Sequence, residues 1–74
     1  NRDTLRWDFL EPDALAPAIR ELEAQGRTVY VVLEGDEVGM FESRFARVID
    51  QLNVEHVGRL RNVHFRRLSA RAAP

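Results

Sequence analysis

The sequence contains no cysteine, and no stretch of it is apolar for more than five consecutive residues. Without cysteine, the chain has neither a disulfide framework nor a thiolate metal site. A transmembrane helix needs about 20 mostly apolar residues, so the longest apolar run, Val29 to Leu33, is too short to cross a bilayer. No glycine-rich phosphate loop follows any of the predicted strands. These absences exclude a disulfide scaffold, a zinc-thiolate site, a P-loop and a membrane span within this sequence.

The remaining composition fits one small domain. Of the 74 residues, 45% are hydrophobic and 31% are charged, which is typical of a soluble globular chain. A domain of this size buries roughly 60% of the surface of its unfolded chain, so its core is small. We assign residues 1–68 to a single α/β domain. Residues 69–74, which are small or polar and end in proline, are predicted to form a frayed tail.

Charge is unevenly distributed along the chain. Residues 1–50 hold eleven acidic and six basic side chains, a balance of −5, whereas residues 51–74 hold one acidic and five basic, a balance of +4. All 11 basic residues are arginine, whose planar guanidinium favours carboxylate and phosphate partners. This asymmetry indicates either ion pairs between the two halves or a basic surface for nucleic acid or acidic lipid.

Hydrophobic periodicity predicts six elements. Period-two alternation and β-branched or aromatic composition indicate strands, and an i, i+3, i+4, i+7 apolar stripe indicates helices. Pro17 lies deep in the first helical pattern, which predicts a kink or a late helix start near Ala14. Gly26 is expected to close that helix in the left-handed conformation, and Asp36 to cap the second helix. The predicted strands are about 4–9, 28–34, 54–60 and 63–68, and the predicted helices are about 12–25 and 36–52.

The order β-α-β-α-β-β indicates an α/β fold. Two β-α-β crossovers predict parallel strands, and the short turn around Arg61 and Asn62 predicts an antiparallel last strand at an edge. Residues 28–34 do not alternate with polar residues, which indicates a strand that is covered on both faces or flanked by neighbours, so we place it inside the sheet. The expected architecture is a mixed, mostly parallel four-stranded sheet with two helices in two or three layers, similar to half of a Rossmann fold.

Three carboxylates follow the strongest strand. Glu34, Asp36 and Glu37 lie where ligands bind in open α/β sheets, and they could form a hard-cation site or an acid–base pair. The competing interpretation is that Asp36 caps the helix, Glu37 favours the positive end of its dipole and Glu34 is solvated. We favour this structural interpretation, because the other strand ends offer only Asp8 as a further acidic partner.

The predicted hairpin carries two other polar groups. His56 and His64, with Glu55, could suggest a metal site, but half-exposed histidines on edge strands are the simpler interpretation. The hairpin arginines could hold phosphate or an acidic lipid surface, or they could pair with acidic residues and protect the sheet edge from aggregation; these arginines are Arg59, Arg61, Arg66 and Arg67. We favour the structural role for them. The aromatic residues are interpreted as core or boundary residues: Trp7, Tyr30, Phe41, Phe45 and Phe65.

The ordered stretches TLRWDFLEP, LAPAIRELEAQGRTVYVVLEGDEV and MFESRF carry a resemblance. They resemble the soluble C-terminal region of bacterial multi-spanning membrane proteins that are similar to dolichyl-phosphate-mannose type glycosyltransferases. The resemblance covers residues 2 to about 47 and is loose in NVHFRRL, where arginines replace a more apolar ending. The matching positions are Arg2, Thr4, Leu5, Arg6, Trp7, Asp8, Gly26, Tyr30, Glu34, Glu37, Phe41, Arg44 and Phe45.

The resemblance implies a non-catalytic, extramembrane domain of a larger membrane protein. The catalytic acids of such proteins lie in loops of the membrane region, so the resemblance supplies no catalytic, cofactor-binding or metal-binding residue here. It implies a structural role, or contact with a partner or acceptor near the membrane, on the extracytoplasmic side. Two alternatives stay open: a stand-alone ligand-binding or regulatory domain that uses the carboxylates, and nucleic-acid binding through the arginine-rich hairpin.

Overall fold

The computed structural model describes residues 6–72, which form two α-helices and a three-stranded sheet. Short 3-10 helices at Trp7–Phe9, Pro12–Ala14 and Ile49–Gln51 connect the longer elements. In chain order, the helices and strands are α1 (Leu15–Ala24), β1 (Val29–Glu34), α2 (Gly35–Arg44), β2 (Leu52–Leu60) and β3 (Val63–Ala70).

The sheet is antiparallel throughout, with the strand order β1-β3-β2. The prediction of a mixed, mostly parallel four-stranded sheet, similar to half of a Rossmann fold, is therefore wrong. β1 and β2 do run in the same direction, but β3 lies between them and pairs with both. After the turn at Arg61 and Asn62, β3 runs back along β2. The other edge of β3 pairs with β1, so β3 separates the two parallel strands. Among the strands of residues 6–72, the last one is consequently central and β1 lies at an edge.

The predicted first strand, residues 4–9, does not appear in the described part of the chain. Positions 4 and 5 lie outside the described residues, and Trp7–Phe9 is a 3-10 helix. Its turns are closed by the Phe9 N–H donating to the Arg6 carbonyl at 3.2 Å and the Leu10 N–H donating to the Trp7 carbonyl at 3.1 Å. The turn directs Trp7 onto the core instead of along a sheet, and its ring packs edge-on against Phe41.

The boundaries of α1 follow from local chemistry. The helix starts at Leu15, after the Pro12–Ala14 turn, which agrees with the late start predicted from Pro17. Pro17 then lies in the first turn, where its missing N–H would have no intrahelical acceptor. At the other end, Gly26 has φ 76°, its N–H donates to the Glu23 carbonyl at 2.9 Å, and the Arg27 N–H donates to the Leu22 carbonyl at 3.1 Å. This is a Schellman motif, which confirms the predicted role of Gly26.

Substituting Gly26 with alanine is expected to lower the free energy of unfolding by about 1–2 kcal/mol, because an L-residue is strained at positive φ. A Cβ at this position would meet no atom within 4 Å, so the loss would come from the backbone alone. Gly39 is the matched control: it lies inside α2 and is equally uncrowded, so Gly39→Ala should raise stability by about 0.5–1 kcal/mol. Urea unfolding of both variants tests whether the two substitutions change the free energy of unfolding in opposite directions. No change for Gly26→Ala would contradict the left-handed conformation of residue 26.

α2 is shorter than the predicted helix 36–52. It ends at Arg44, and successive turns replace it: the Val48 N–H donates to the Phe45 carbonyl at 3.0 Å, and the Gln51 N–H donates to the Val48 carbonyl at 2.9 Å. Turns of three to four residues bring side chains inward at nearly the same interval as a helix. The buried positions Phe41, Phe45, Val48 and Leu52 therefore fit a helical pattern although only the first lies in α2.

The core lies on one face of the sheet only. Along β1, Val31 and Leu33 are buried under the helices, whereas Tyr30 and Val32 point to the other side and are exposed. This strand is therefore covered on one face only, and its predicted position inside the sheet is wrong, because β1 is the first strand in the order β1-β3-β2. The fold has one helical layer and one sheet layer. The ten buried hydrophobic residues of the core are Leu15, Ala16, Ile19, Val31, Leu33, Phe41, Phe45, Val48, Leu52 and Leu68.

The C-terminal end of β3 includes Ser69 and Ala70, which were assigned to the frayed tail 69–74. They pair with Asn53 and Leu52 of β2, and the Arg71 N–H donates to the Gln51 carbonyl at 2.9 Å. Asn53, the residue after the predicted second helix 36–52, is likewise a strand residue. Residues 73 and 74 lie outside the described part of the chain.

Candidate functional site

The carboxylates after β1 build the start of α2. Glu34 is the N-cap: its side chain accepts the backbone N–H of Glu37, and Glu37 Oε1 accepts the Glu34 N–H at 2.9 Å. This capping box satisfies two backbone donors that would otherwise have no partner. The predicted cap, Asp36, lies instead in the first turn, where its negative charge interacts favourably with the positive end of the helix dipole. Two of the three carboxylates thus cap the helix and the third lies in its first turn, which favours the structural interpretation.

The two histidines lie together, but they do not form a metal site with Glu55. His56 and His64 lie on the face of the sheet that carries the core, with their ring centroids 6.0 Å apart. Glu55 precedes His56 in the strand, so it points to the opposite face. Within residues 6–72 there is no group of three or more histidine, aspartate or glutamate side chains that could hold a metal ion.

The arginines of the hairpin are divided between the two faces of the sheet. Arg66 pairs with Glu42 of α2 at 3.3 Å, on the core side, and Arg67 pairs with Glu55 at 2.9 Å on the other side. Arg59 donates from Nε to the carbonyl of Arg61 at 2.6 Å, within the turn. The structure therefore places two of these arginines beside acidic partners, and it does not gather the four into one cationic surface.

Arg44 has a structural function that the sequence analysis missed. At the end of α2, its guanidinium donates to the carbonyl of Leu10, with Nε 3.0 Å from that oxygen. This partly buried contact fastens the segment before α1 to α2. The sequence offers one sign of this contact: Arg44 lies in the last turn of a helix, next to an apolar residue. Many helices have an arginine there, so the position does not identify the Leu10 carbonyl as its partner.

An apolar groove of about 680 Å³ lies along the edge of β1, and residues from both faces of that strand contribute to its wall. At its rim, Arg6 donates from Nη2 to Asp8 Oδ2 at 2.7 Å, and this hydrogen bond lowers the pKa of the Asp8 carboxyl below its ordinary value. The groove holds no cluster of acidic or histidine side chains that indicates catalysis. Its apolar lining comes from α1, β1 and the segment before α1: Trp7, Leu10, Leu15, Leu22, Val29 and Val31.

The opposite side of the sheet, called here the outer face, is not covered by any element within residues 6–72. It is formed by Tyr30, Val32, Leu60, Val63 and Phe65, which the strand register places on one side. Tyr30 is 56% exposed, Val32 53% and Leu60 67%, while Val63 and Phe65 are half-buried among them. No helix of the described chain packs on this side. The sequence analysis missed the outer face because it assigned Tyr30 and Phe65 to the core or its boundary.

Grouped apolar side chains on an open sheet face are typical of a contact surface. No protein-family model, curated protein or solved structure matches the chain. Neither helix within residues 6–72 is long and apolar enough to cross a membrane.

Proposed function

We propose that this chain is a non-catalytic contact domain, the extramembrane part of a glycosyltransferase-like membrane protein, and that its outer face contacts the rest of that protein or a partner near the membrane. The observation that carries the contact role is the exposure of Tyr30, Val32 and Leu60 together on an uncovered face. Burying a side chain of this kind against a partner contributes about 1.5–3 kcal/mol. The kind of parent protein rests on the ordered resemblance over residues 2–47.

The arrangement of polar groups supports a role without catalysis. Glu34 and Glu37 cap a helix, Arg66 and Arg67 pair with acidic side chains, and the groove beside β1 is lined mainly by apolar side chains. A catalytic site requires a nucleophile, acid or base held within hydrogen-bonding reach of a second functional group. The carboxylates described within hydrogen-bonding reach of a second group at the groove rim and on the outer face, Asp8 and Glu55, are held in ion pairs with Arg6 and Arg67. We therefore favour binding over catalysis.

Site-specific photocrosslinking in the full-length parent protein tests the contact surface. A photoreactive amino acid at Val32 should crosslink to another part of the parent or to a membrane-proximal partner. The same group at Met40, exposed on α2 and away from the outer face, is the control and should crosslink far less. Equal crosslinking from both positions would contradict the proposed surface. A parent gene without hydrophobic spans upstream of Asn1 would contradict the proposed class of protein.

The same exposed residue allows a test of the proposed extracytoplasmic location. Because the sequence contains no cysteine, Met40→Cys introduces a single thiol into this domain. We expect a membrane-impermeant maleimide to label it in intact cells, with labelling unchanged after the cells are permeabilised. Labelling only after permeabilisation would place the domain on the cytoplasmic side and overturn this part of the proposal.

A further inference from the structure

The two faces of the hairpin formed by β2 and β3 differ in charge balance. On the outer face, Arg67 lies opposite Glu55, the one acidic residue in the sequence of the two strands, and their side chains pair at 2.9 Å. On the face that carries the core, the strand register sets two arginines opposite two histidines. The residues of these two pairs, called here the basic cluster, are His56, Arg59, His64 and Arg66.

The residue types of the basic cluster supply no negative charge. An imidazole is either neutral or positive, so neither histidine compensates the charge of the arginine opposite it, and like charges directly opposite in a sheet are destabilising. The imidazole centroids of His56 and His64 lie 6.0 Å apart. Rings this close can both donate to oxygens of one bound oxyanion, because each N–H···O bond spans about 2.7–3.2 Å. An anion at this position would bring the missing negative charge.

The two arginines of the basic cluster differ in how they are held. The Arg66 side chain is 17% exposed, and its Nη1 lies 3.3 Å from Glu42 Oε2, on a side chain that is 59% exposed. Ion pairs with exposed carboxylates are weak, so an anionic ligand can displace Glu42 from Arg66. Arg59 is exposed, and its bond to the Arg61 carbonyl uses only the Nε–H of the guanidinium. Its Nη groups are further donors that a ligand can use.

A pocket of about 270 Å³ adjoins the basic cluster. Arg66 and Glu42 form part of its wall. Val54, also in the wall, lies two residues before His56 in β2 and hence on the same face of the sheet. The apolar residues of the wall are Phe41, Ala46, Ile49 and Val54. A ligand bound by Arg66 can therefore extend from the basic cluster into apolar surroundings.

We infer that the basic cluster binds the phosphate group of a small organic phosphate, and that the pocket beside Arg66 takes the apolar part of the same molecule. A phosphate monoester carries about −1.5 to −2 charges at pH 7 and three acceptor oxygens, whereas a carboxylate has a single charge and fewer oxygens. Two guanidinium groups and two imidazoles match the larger set, since arginine binds phosphate with paired hydrogen bonds. The inference does not depend on the nature of the parent protein.

Titration of the chain with phenyl phosphate tests the site. The sequence contains only two histidines, so their imidazole NMR signals report directly on the basic cluster. We expect both signals to shift and to reach saturation as phenyl phosphate is added. Inorganic phosphate, which lacks the apolar part, and benzoate, which lacks the phosphate, should both bind less tightly. Chloride keeps the ionic strength constant throughout, so that screening of surface charges does not change.

Two substitutions in the basic cluster test its role. Arg66→Gln removes a charged donor, and the affinity for phenyl phosphate should fall at least about tenfold. His56→Gln, at an exposed position outside the core, should also weaken binding. Arg67→Gln is the matched control, because it removes the same charge from the next residue, on the outer face, and should leave the affinity unchanged. Circular dichroism checks that each variant is folded.

Histidine signals that do not shift would overturn the proposal, as would unchanged affinity in His56→Gln. Equal losses of affinity in Arg66→Gln and Arg67→Gln would also overturn it, because attraction by net charge alone would then explain the binding. Benzoate that binds as tightly as phenyl phosphate would overturn the choice of phosphate. Inorganic phosphate that binds as tightly would overturn the role of the pocket.

Discussion

Replacing Phe41 with alanine is expected to lower the free energy of unfolding by about 3–5 kcal/mol. Its ring is fully buried, with the Phe45 ring centroid 5.0 Å away and the Trp7 centroid 5.4 Å away. Truncation removes the buried apolar surface, leaves a cavity and takes away the centre of this aromatic cluster. Single domains have about 5–15 kcal/mol of stability, and a 74-residue chain belongs near the lower limit, so Phe41→Ala should unfold a large fraction of the molecules.

Met40 provides the matched control for this substitution. It precedes Phe41 in α2, has an exposed side chain and lies outside the core cluster. Met40→Ala should therefore change stability by less than about 0.5 kcal/mol. Thermal and urea unfolding followed by circular dichroism measure both variants. Similar losses in the two would mean that α2 does not present Phe41 to the core.

Leu33→Ala is expected to cost about 2–5 kcal/mol, because Leu33 is fully buried between the sheet and the helices. Its neighbour Val32 points to the outer face, so Val32→Thr, which nearly preserves size and β-propensity, should cost less than about 0.5 kcal/mol. The comparison tests whether one face of β1 or both are covered.

A large loss in Val32→Thr would contradict the single helical layer described for this fold. It would restore the interpretation that an apolar run without alternation is buried on both sides. The structure explains why the run misleads: Tyr30 and Val32 are apolar and exposed together on the outer face. An apolar residue in a strand therefore indicates contact with another surface, and that surface need not belong to the same domain.

The features that sequence analysis predicted correctly depend on neighbouring residues. Pro17 delayed the start of α1, Gly26 closed it at φ 76°, and the turn at Arg61 and Asn62 joined β2 to β3. Proline geometry, positive φ and a two-residue turn are properties of a few consecutive residues. They act in the same way whatever the rest of the chain does.

The candidate sites were only partly predictable, because some of their contacts join neighbouring residues and others join residues that are far apart in the sequence. The spacing of Glu34 and Glu37 is local, so a helix start was expected, but the analysis selected Asp36 as the cap instead of Glu34. The ion pair between Arg66 and Glu42 joins residues far apart in the sequence, and their partnership depends on how α2 lies over β3. The outer face also requires knowledge of the sheet order, because residues from all three strands form it.

The sequence by itself determined where α1 ends, that β2 and β3 form a hairpin, and that the chain has no disulfide framework, whereas the predicted helix 12–25 begins three residues too early. Tertiary structure alone decided that β3 enters between β1 and β2, that Trp7–Phe9 turns onto the core, and that one face of the sheet stays open. The reason is that hydrogen-bonding capacity and apolar surface are present in every strand, but the order of strands and the covered face depend on which distant segments pack together.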